Sequence, residues 1–122
     1  LPTQTLFHEL GGKETIALVV DNFYVKMLAD EELKHFFDFT DMKKQKAHLT
    51  SFVSFAIGSQ EAYKGKSMKD AHAHLQIKPV HFQKTAGHLI ATLQELNVPQ
   101  DKIDTIISKI APLQDDIVTV KN

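Results

Sequence analysis

Seven histidines stand in a chain of 122 residues that has no cysteine and no tryptophan. Histidine is the side chain most used for metal and proton chemistry, so its placement comes first. His72 lies on a short stretch that Ser67-Met68-Lys69-Asp70 opens in the manner of a capping box. Met68, four residues before it, and Leu75, three after, lie on the same side of a helix. These neighbours bury one face of the imidazole, and a neutral ring there can offer one nitrogen to a metal while a carbonyl anchors the other. His74 cannot join it in chelation, because residues two apart on a helix point to nearly opposite sides. His81 and His88 can share a face, but Gln83 and Lys84 between them supply no third ligand, and no His-x-x-x-His pair occurs. A conventional zinc site is therefore a weak reading.

Tyr24, Gln45 and His48 are polar residues on apolar faces. Gln45 and His48 share a helix face with Leu49, Phe52 and Ala56, and Tyr24 follows Phe23 one turn from Val20 and Met27. An unsatisfied buried amide or imidazole costs on the order of 1–3 kcal/mol, so these groups line a cavity or stand at its rim. Read alone, Gln45 and His48 are better explained as boundary positions wetted at the edge, and Tyr24 as an ordinary core tyrosine bonded to a backbone carbonyl. Nucleophilic catalysis has no candidate, since there is no cysteine and no Gly-x-Ser-x-Gly elbow. Gly11-Gly12 follows no strand and reads as a helix–helix turn, not a phosphate loop. The chemistry open to this chain is that of a bound cofactor in an apolar cavity flanked by Tyr24, Gln45, His48 and His72.

The elements that must position these residues are helical. After a first segment from Thr5 to Leu10, an unbroken stretch runs from Lys13 to Ala29 with Ile16, Val19, Val20, Phe23 and Met27 on one face. Asp30 reads as the N-cap of a short helix through Phe37, and Phe36, Phe37 and Phe39 crowd the corner after it. Asp41 caps a helix to Ile57, and Gly58 ends it. Residues 59–66 read as a polar loop. Pro79 suits the first turn of a helix whose stripe is Phe82, Ala86, Leu89, Ile90, Leu93 and Leu96. Pro99 repeats the device ahead of Ile103, Ile106, Ile107, Ile110, Leu113 and Ile117, where Pro112 predicts a kink near Ser108. Sustained period-two alternation is missing, so the class is all-α. Four long helices, near 13–29, 41–57, 79–97 and 100–118, with weak connectors predict a sandwich with a gap.

Composition narrows the partners. Hydrophobic residues make up 43% and charged residues 24%, with no linker or repeat, so residues 1–122 read as a single domain. Fourteen Lys and Arg against fifteen Asp and Glu give a net charge of -1, which argues against nucleic acid and anionic membrane as partners. No apolar run approaches the ~20 residues of a membrane span. The start Leu1-Pro2-Thr3-Gln4 lacks the marks of a signal peptide, and together with the missing cysteines this sets the expectation of a cytoplasmic protein; a monomer is expected.

The order of the landmarks carries a resemblance. Leu10-Gly11-Gly12, Phe23-Tyr24, Lys34-His35-Phe36-Phe37, Thr40-Asp41-Met42 with Gln45, Tyr63-Lys64-Gly65-Lys66, and Met68 to His72 occur in succession. From Leu6 to about Val118 the chain resembles a group I truncated haemoglobin of the cyanobacterial, ciliate and algal kind. That resemblance implies a two-over-two helical sandwich around haem. It implies His72 as the proximal iron ligand, Tyr24 and Gln45 as hydrogen-bond donors to a distal ligand, and His48 as an endogenous sixth ligand of the iron. Phe37 then packs on the haem, Phe52 and Met68 belong to its apolar surround, and Lys44 and Lys66 fall near the propionates.

The implied ligands are oxygen, nitric oxide or carbon monoxide. Two alternatives follow from the same resemblance. One is a bis-histidyl electron-transfer or redox-sensing protein. The other is a nitric oxide dioxygenase, which requires a separate reductase because the chain has no flavin or nicotinamide segment. Departures are also visible. Leu49 stands where a second distal glutamine is common, and Gly58-Ser59 replaces a Gly-Gly pair. Gln114 stands near a histidine that some cyanobacterial members bond to a haem vinyl, so non-covalent haem b is expected. A helical interaction module with incidental histidines is the remaining, blander possibility.

Overall fold

A computed structural model describes residues 5–58, 69, 72, 73 and 75–120. Its helices are α1 (Leu6–Glu9), α2 (Lys13–Ala29), α3 (Met42–Ala56), α4 (Pro79–Glu95), α5 (Gln100–Ile110) and α6 (Gln114–Ile117), with 3₁₀ turns at Lys34–Phe37 and Ala111–Leu113. No strand occurs among the described residues. Nor is any helix among them long and apolar enough to cross a membrane.

α2 is the hub. The predicted stripe of Ile16, Val19, Val20, Phe23 and Met27 is buried along its full length, and Tyr24 is buried with it. One flank of α2 packs on α3 and another on α4, while α4 packs on α5. This arrangement makes two helix pairs, α2 with α3 and α4 with α5, which meet where α2 lies against α4. Their common core joins the α2 stripe to Leu33, Ile57, Leu93, Ile103 and Ile106. Full burial of such a side chain stabilises by about 1.5–3 kcal/mol. A second, smaller cluster of Ile77, Phe82 and Val118 lies at the start of α4, and Phe36 and Ile110 touch both.

The helix ends follow local chemistry. Asp41 accepts from the N–H groups of Lys43 and Lys44 at 3.1 and 3.3 Å, as an N-cap carboxylate should. Gly58 holds φ +113 after α3, where an added Cβ would come within 2.6 Å of the Thr5 side chain. α4 ends in a Schellman motif: Asn97 takes φ +62, Val98 N–H donates to the Leu93 carbonyl and Asn97 N–H to that of Gln94, each at 3.0 Å.

Two sequence expectations need correction. The last helix does not run kinked to 118. Pro112 has no N–H and its ring crowds the carbonyl four residues back, so the α-helical ladder stops at Ile110, passes through a 3₁₀ turn and resumes only for α6. Asp30 is the C-cap of α2 and opens a turn, not an α-helix. Its Oδ1 accepts from Glu32 N–H at 2.9 Å and the helical turns beyond it are 3₁₀.

Candidate functional site

Tyr24 enters the site from the buried side of α2. It is 3% exposed, with its ring edge-on to Phe23 at 5.2 Å and to Phe37 at 5.6 Å between centroids. The 3₁₀ turn after α2 is what brings Phe37 back over the phenol. From α3, Gln45 Nε2 donates to the Tyr24 hydroxyl at 3.0 Å. Burial pushes the phenol up from 10.0 to about 12, against the smaller downward pull of the Gln45 amide. The hydroxyl therefore stays protonated throughout the neutral range. Its own proton has no acceptor among the described residues, leaving a buried donor available.

The remaining predicted residues fall as follows. His48 and Lys44 are exposed on α3, His48 three positions beyond Gln45, and Phe52 is half-buried on the same helix. His72 is helical and half-buried, and its carbonyl accepts from Leu75 N–H at 3.1 Å. Met68 and Lys66 lie outside the described residues, as does most of the capping box ahead of His72. Among the described residues no cluster of three histidine, aspartate or glutamate side chains is arranged to hold a metal ion.

Sequence reasoning missed a polar cluster at the end of α2. The Asp30 carboxylate, 8% exposed, takes Lys84 Nζ at 3.0 Å on one oxygen and His88 Nε2 at 2.8 Å on the other. Lys84 also reaches Glu32 at 3.2 Å. The His88 contact, then that of Lys84, holds the Asp30 carboxyl well below its ordinary value of 3.8. The available signal was the four-residue spacing of Lys84 and His88, which puts both on one face of α4. His81 points elsewhere: its ring stands edge-on to Phe36 at 5.0 Å and its Nδ1 accepts from Lys78 N–H at 3.0 Å. Burial, with His35 and Lys78 nearby, lowers its pKa from 6.5. Ser54 Oγ, buried on α3, has no hydrogen-bond partner among the described residues.

With this geometry in place, comparison with known proteins is informative. The sequence profile of the family described as bacterial-like globin matches residues 5–119. The group 1 truncated haemoglobin of Synechocystis is 42% identical over 103 residues, covering 81% of this chain and 83% of that protein. A group 1 truncated haemoglobin of Tetrahymena pyriformis is 40% identical, covering 88% and 86%. Among solved structures, the truncated haemoglobin of T. pyriformis in its Fe(III) form superposes with a TM-score of 0.89 at 37% identity, covering 94% of this chain and 98% of that one. The 2/2 haemoglobin of Synechococcus, in the cyanomet state with covalently attached haem, gives 0.90 at 40% identity with the same coverage.

Proposed function

The chain belongs to the bacterial-like globins, as a group 1 truncated haemoglobin, and from that premise we propose that it binds oxygen, nitric oxide or carbon monoxide at ferrous haem, with Tyr24 and Gln45 retaining the ligand. The residues present fit the cofactor. A buried phenol whose proton has no acceptor among the described residues is unusual in a closed core, since buried polar hydrogens normally find a partner, and it is what a polar ligand in an apolar slot requires. Phe37 and Phe52 supply apolar contact, and a neutral His72 imidazole is the customary axial donor of a globin. Haem, when bound, supplies an iron that takes up a diatomic gas reversibly.

The protein's own part is to hold a proton at the Tyr24 hydroxyl and aim it. Gln45, bonded to the phenol oxygen, fixes the phenol rotor and makes the hydroxyl a stronger donor. The Tyr24–Phe37 contact limits the ring's swing. By resemblance to the family, His72 would hold the iron, Met68 would add to the apolar surround, and Lys44 and Lys66 would attract the propionates. Gln114, an amide without a nucleophilic nitrogen, leaves haem b non-covalently held.

The observation that carries this reading is the buried Tyr24 hydroxyl, paired to Gln45 and with no acceptor for its own proton among the described residues. A hydrogen bond to a charged acceptor contributes about 1.5–3 kcal/mol, so Tyr24→Phe should accelerate oxygen dissociation by at least about tenfold. An unaltered rate removes the role given to Tyr24.

His48 supports a second coordination state. It is exposed on α3, makes no hydrogen bond to a described residue, and shares a face with Gln45, so it can compete for the iron's sixth position when no gas is bound. The ferrous, ligand-free protein should then be low-spin and His48→Ala should convert it to a five-coordinate spectrum. A spectrum that does not change excludes His48 as the ligand.

A further inference from the structure

The stretch that follows His72 is held from the far end of the chain. Ile77 N–H donates to Thr119 Oγ1 at 3.1 Å, while the Ile77 carbonyl accepts from the N–H groups of Thr119 and Val120 at 2.9 and 3.0 Å. Beneath these bonds, Ile77 and Val118 are buried with Phe82, against Leu75, Phe36, Ile110 and Ile117. On the other side Lys78 N–H is taken by His81 Nδ1 at 3.0 Å. Between Leu75 and Ile77, Gln76 adopts φ +54, a left-handed conformation that a residue with a Cβ enters at a cost. Such a conformation persists only where its surroundings over-determine it. The pairs on either side of Gln76 are what does so here.

The geometry points to Val118–Val120 as a strap that positions the His72 imidazole, with Thr119 acting through Ile77. The connection is short. Leu75 N–H donates to the His72 carbonyl at 3.1 Å, so the turn that carries the imidazole is bonded to the residue that precedes Gln76. Removing the Thr119 hydroxyl takes the acceptor from Ile77 N–H and frees Gln76 to relax toward the right-handed or extended region. The turn from His72 to Leu75 then reorients. Thr119 touches neither haem nor ligand in this account; it is a positioning residue. The inference rests on the reading of His72 as the proximal ligand.

The test uses the ferric, cyanide-saturated holoprotein, in which cyanide occupies the distal position whatever His48 does. The hyperfine-shifted ring signals of the proximal histidine report its orientation on the iron, and transfer of hemin to an excess of a tighter-binding apoglobin reports retention. Thr119→Val should move the ring signals and speed hemin loss roughly fivefold, the equivalent of a hydrogen bond of about 1 kcal/mol. Thr119→Ser should restore both. Unmoved signals in Thr119→Val overturn the proposal. Faster hemin loss with unmoved signals overturns it too, because that is lost stability without lost position. If Thr119→Val does not fold, Thr119→Ala, which removes the hydroxyl without setting a methyl against Ile77 N–H and keeps Val118 and the backbone bonds, is put to the same criteria. A parent protein whose histidine ring signals persist in His72→Gly refutes the proximal assignment itself, a result distinct from failure of the strap.

Discussion

Ionisation of Tyr24 offers a direct reading of how dry the site is. The chain has two tyrosines, so Tyr63→Phe leaves Tyr24 as the sole phenol in the apoprotein. Burial raises it from 10.0 to about 12, and a unit is worth 1.36 kcal/mol, so the folded state resists ionisation by roughly 2.7 kcal/mol. Above pH 10 the unfolded chain gives up this proton while the folded chain keeps it. The unfolded state then binds fewer protons, and stability must fall as pH rises. The contribution is complete below pH 10 and is lost by the time pH passes about 12.

Near-ultraviolet phenolate absorbance follows the ionisation, and urea unfolding at stepped pH follows the stability. Gln45 decides the sign of a second experiment. Its amide donates to the phenol oxygen and favours the charged form, so Gln45→Leu should delay ionisation further. Ionisation of Tyr24 near 10, or an earlier onset in Gln45→Leu, would refute the claim that the phenol is buried and bonded as described.

Other perturbations probe the frame around that site. Asp30, held low chiefly by His88 and then Lys84, contributes stability that is complete above its ordinary value of 3.8 and is lost as pH falls toward its depressed value in the folded protein. Asp30→Asn should therefore be less stable than the parent at neutral pH and converge with it in acid, as followed by urea unfolding; a gap that stays constant with pH contradicts the pairing. Glycine substitutions should divide by position. Gly58→Ala, at φ +113 and facing Thr5, should destabilise by about 1–3 kcal/mol, whereas Gly87→Ala, inside α4 with open space around it, should stabilise by up to about 1 kcal/mol. Thermal unfolding of the two variants checks the contrast, and equal shifts of one sign would contradict it.

What could be read from residues alone divides along the same line as local and distant contacts. The α2 stripe was legible because its spacing of three and four is a property of one helix, and so were the caps at Asp41 and Gly58. Pro112 announced an interruption, but whether a proline kinks a helix or ends it depends on what packs around the freed carbonyl. Tyr24 and Gln45 were recognisable as polar residues on apolar faces, yet they are 21 positions apart and only the crossing of α2 with α3 makes them partners. Asp30 was read from its neighbours as a cap. Its stronger partners stand 54 and 58 positions away, beyond the reach of any local rule. The strap between Thr119 and Ile77 was invisible for the same reason, spanning 42 positions with no periodicity to mark it. His72 was one half-buried histidine among seven until the order of the landmarks gave it a role.

In the proposed function, haem iron is held by the His72 imidazole. Titrating the apoprotein with hemin and recording the visible spectrum tests it most directly, alongside His72→Gly with and without added imidazole. An intense Soret band that saturates at one hemin per chain is expected, with an altered iron spectrum in the variant and its restoration by imidazole. A parent chain that gains no such band, or a His72→Gly variant whose spectrum matches the parent's without imidazole, would contradict it.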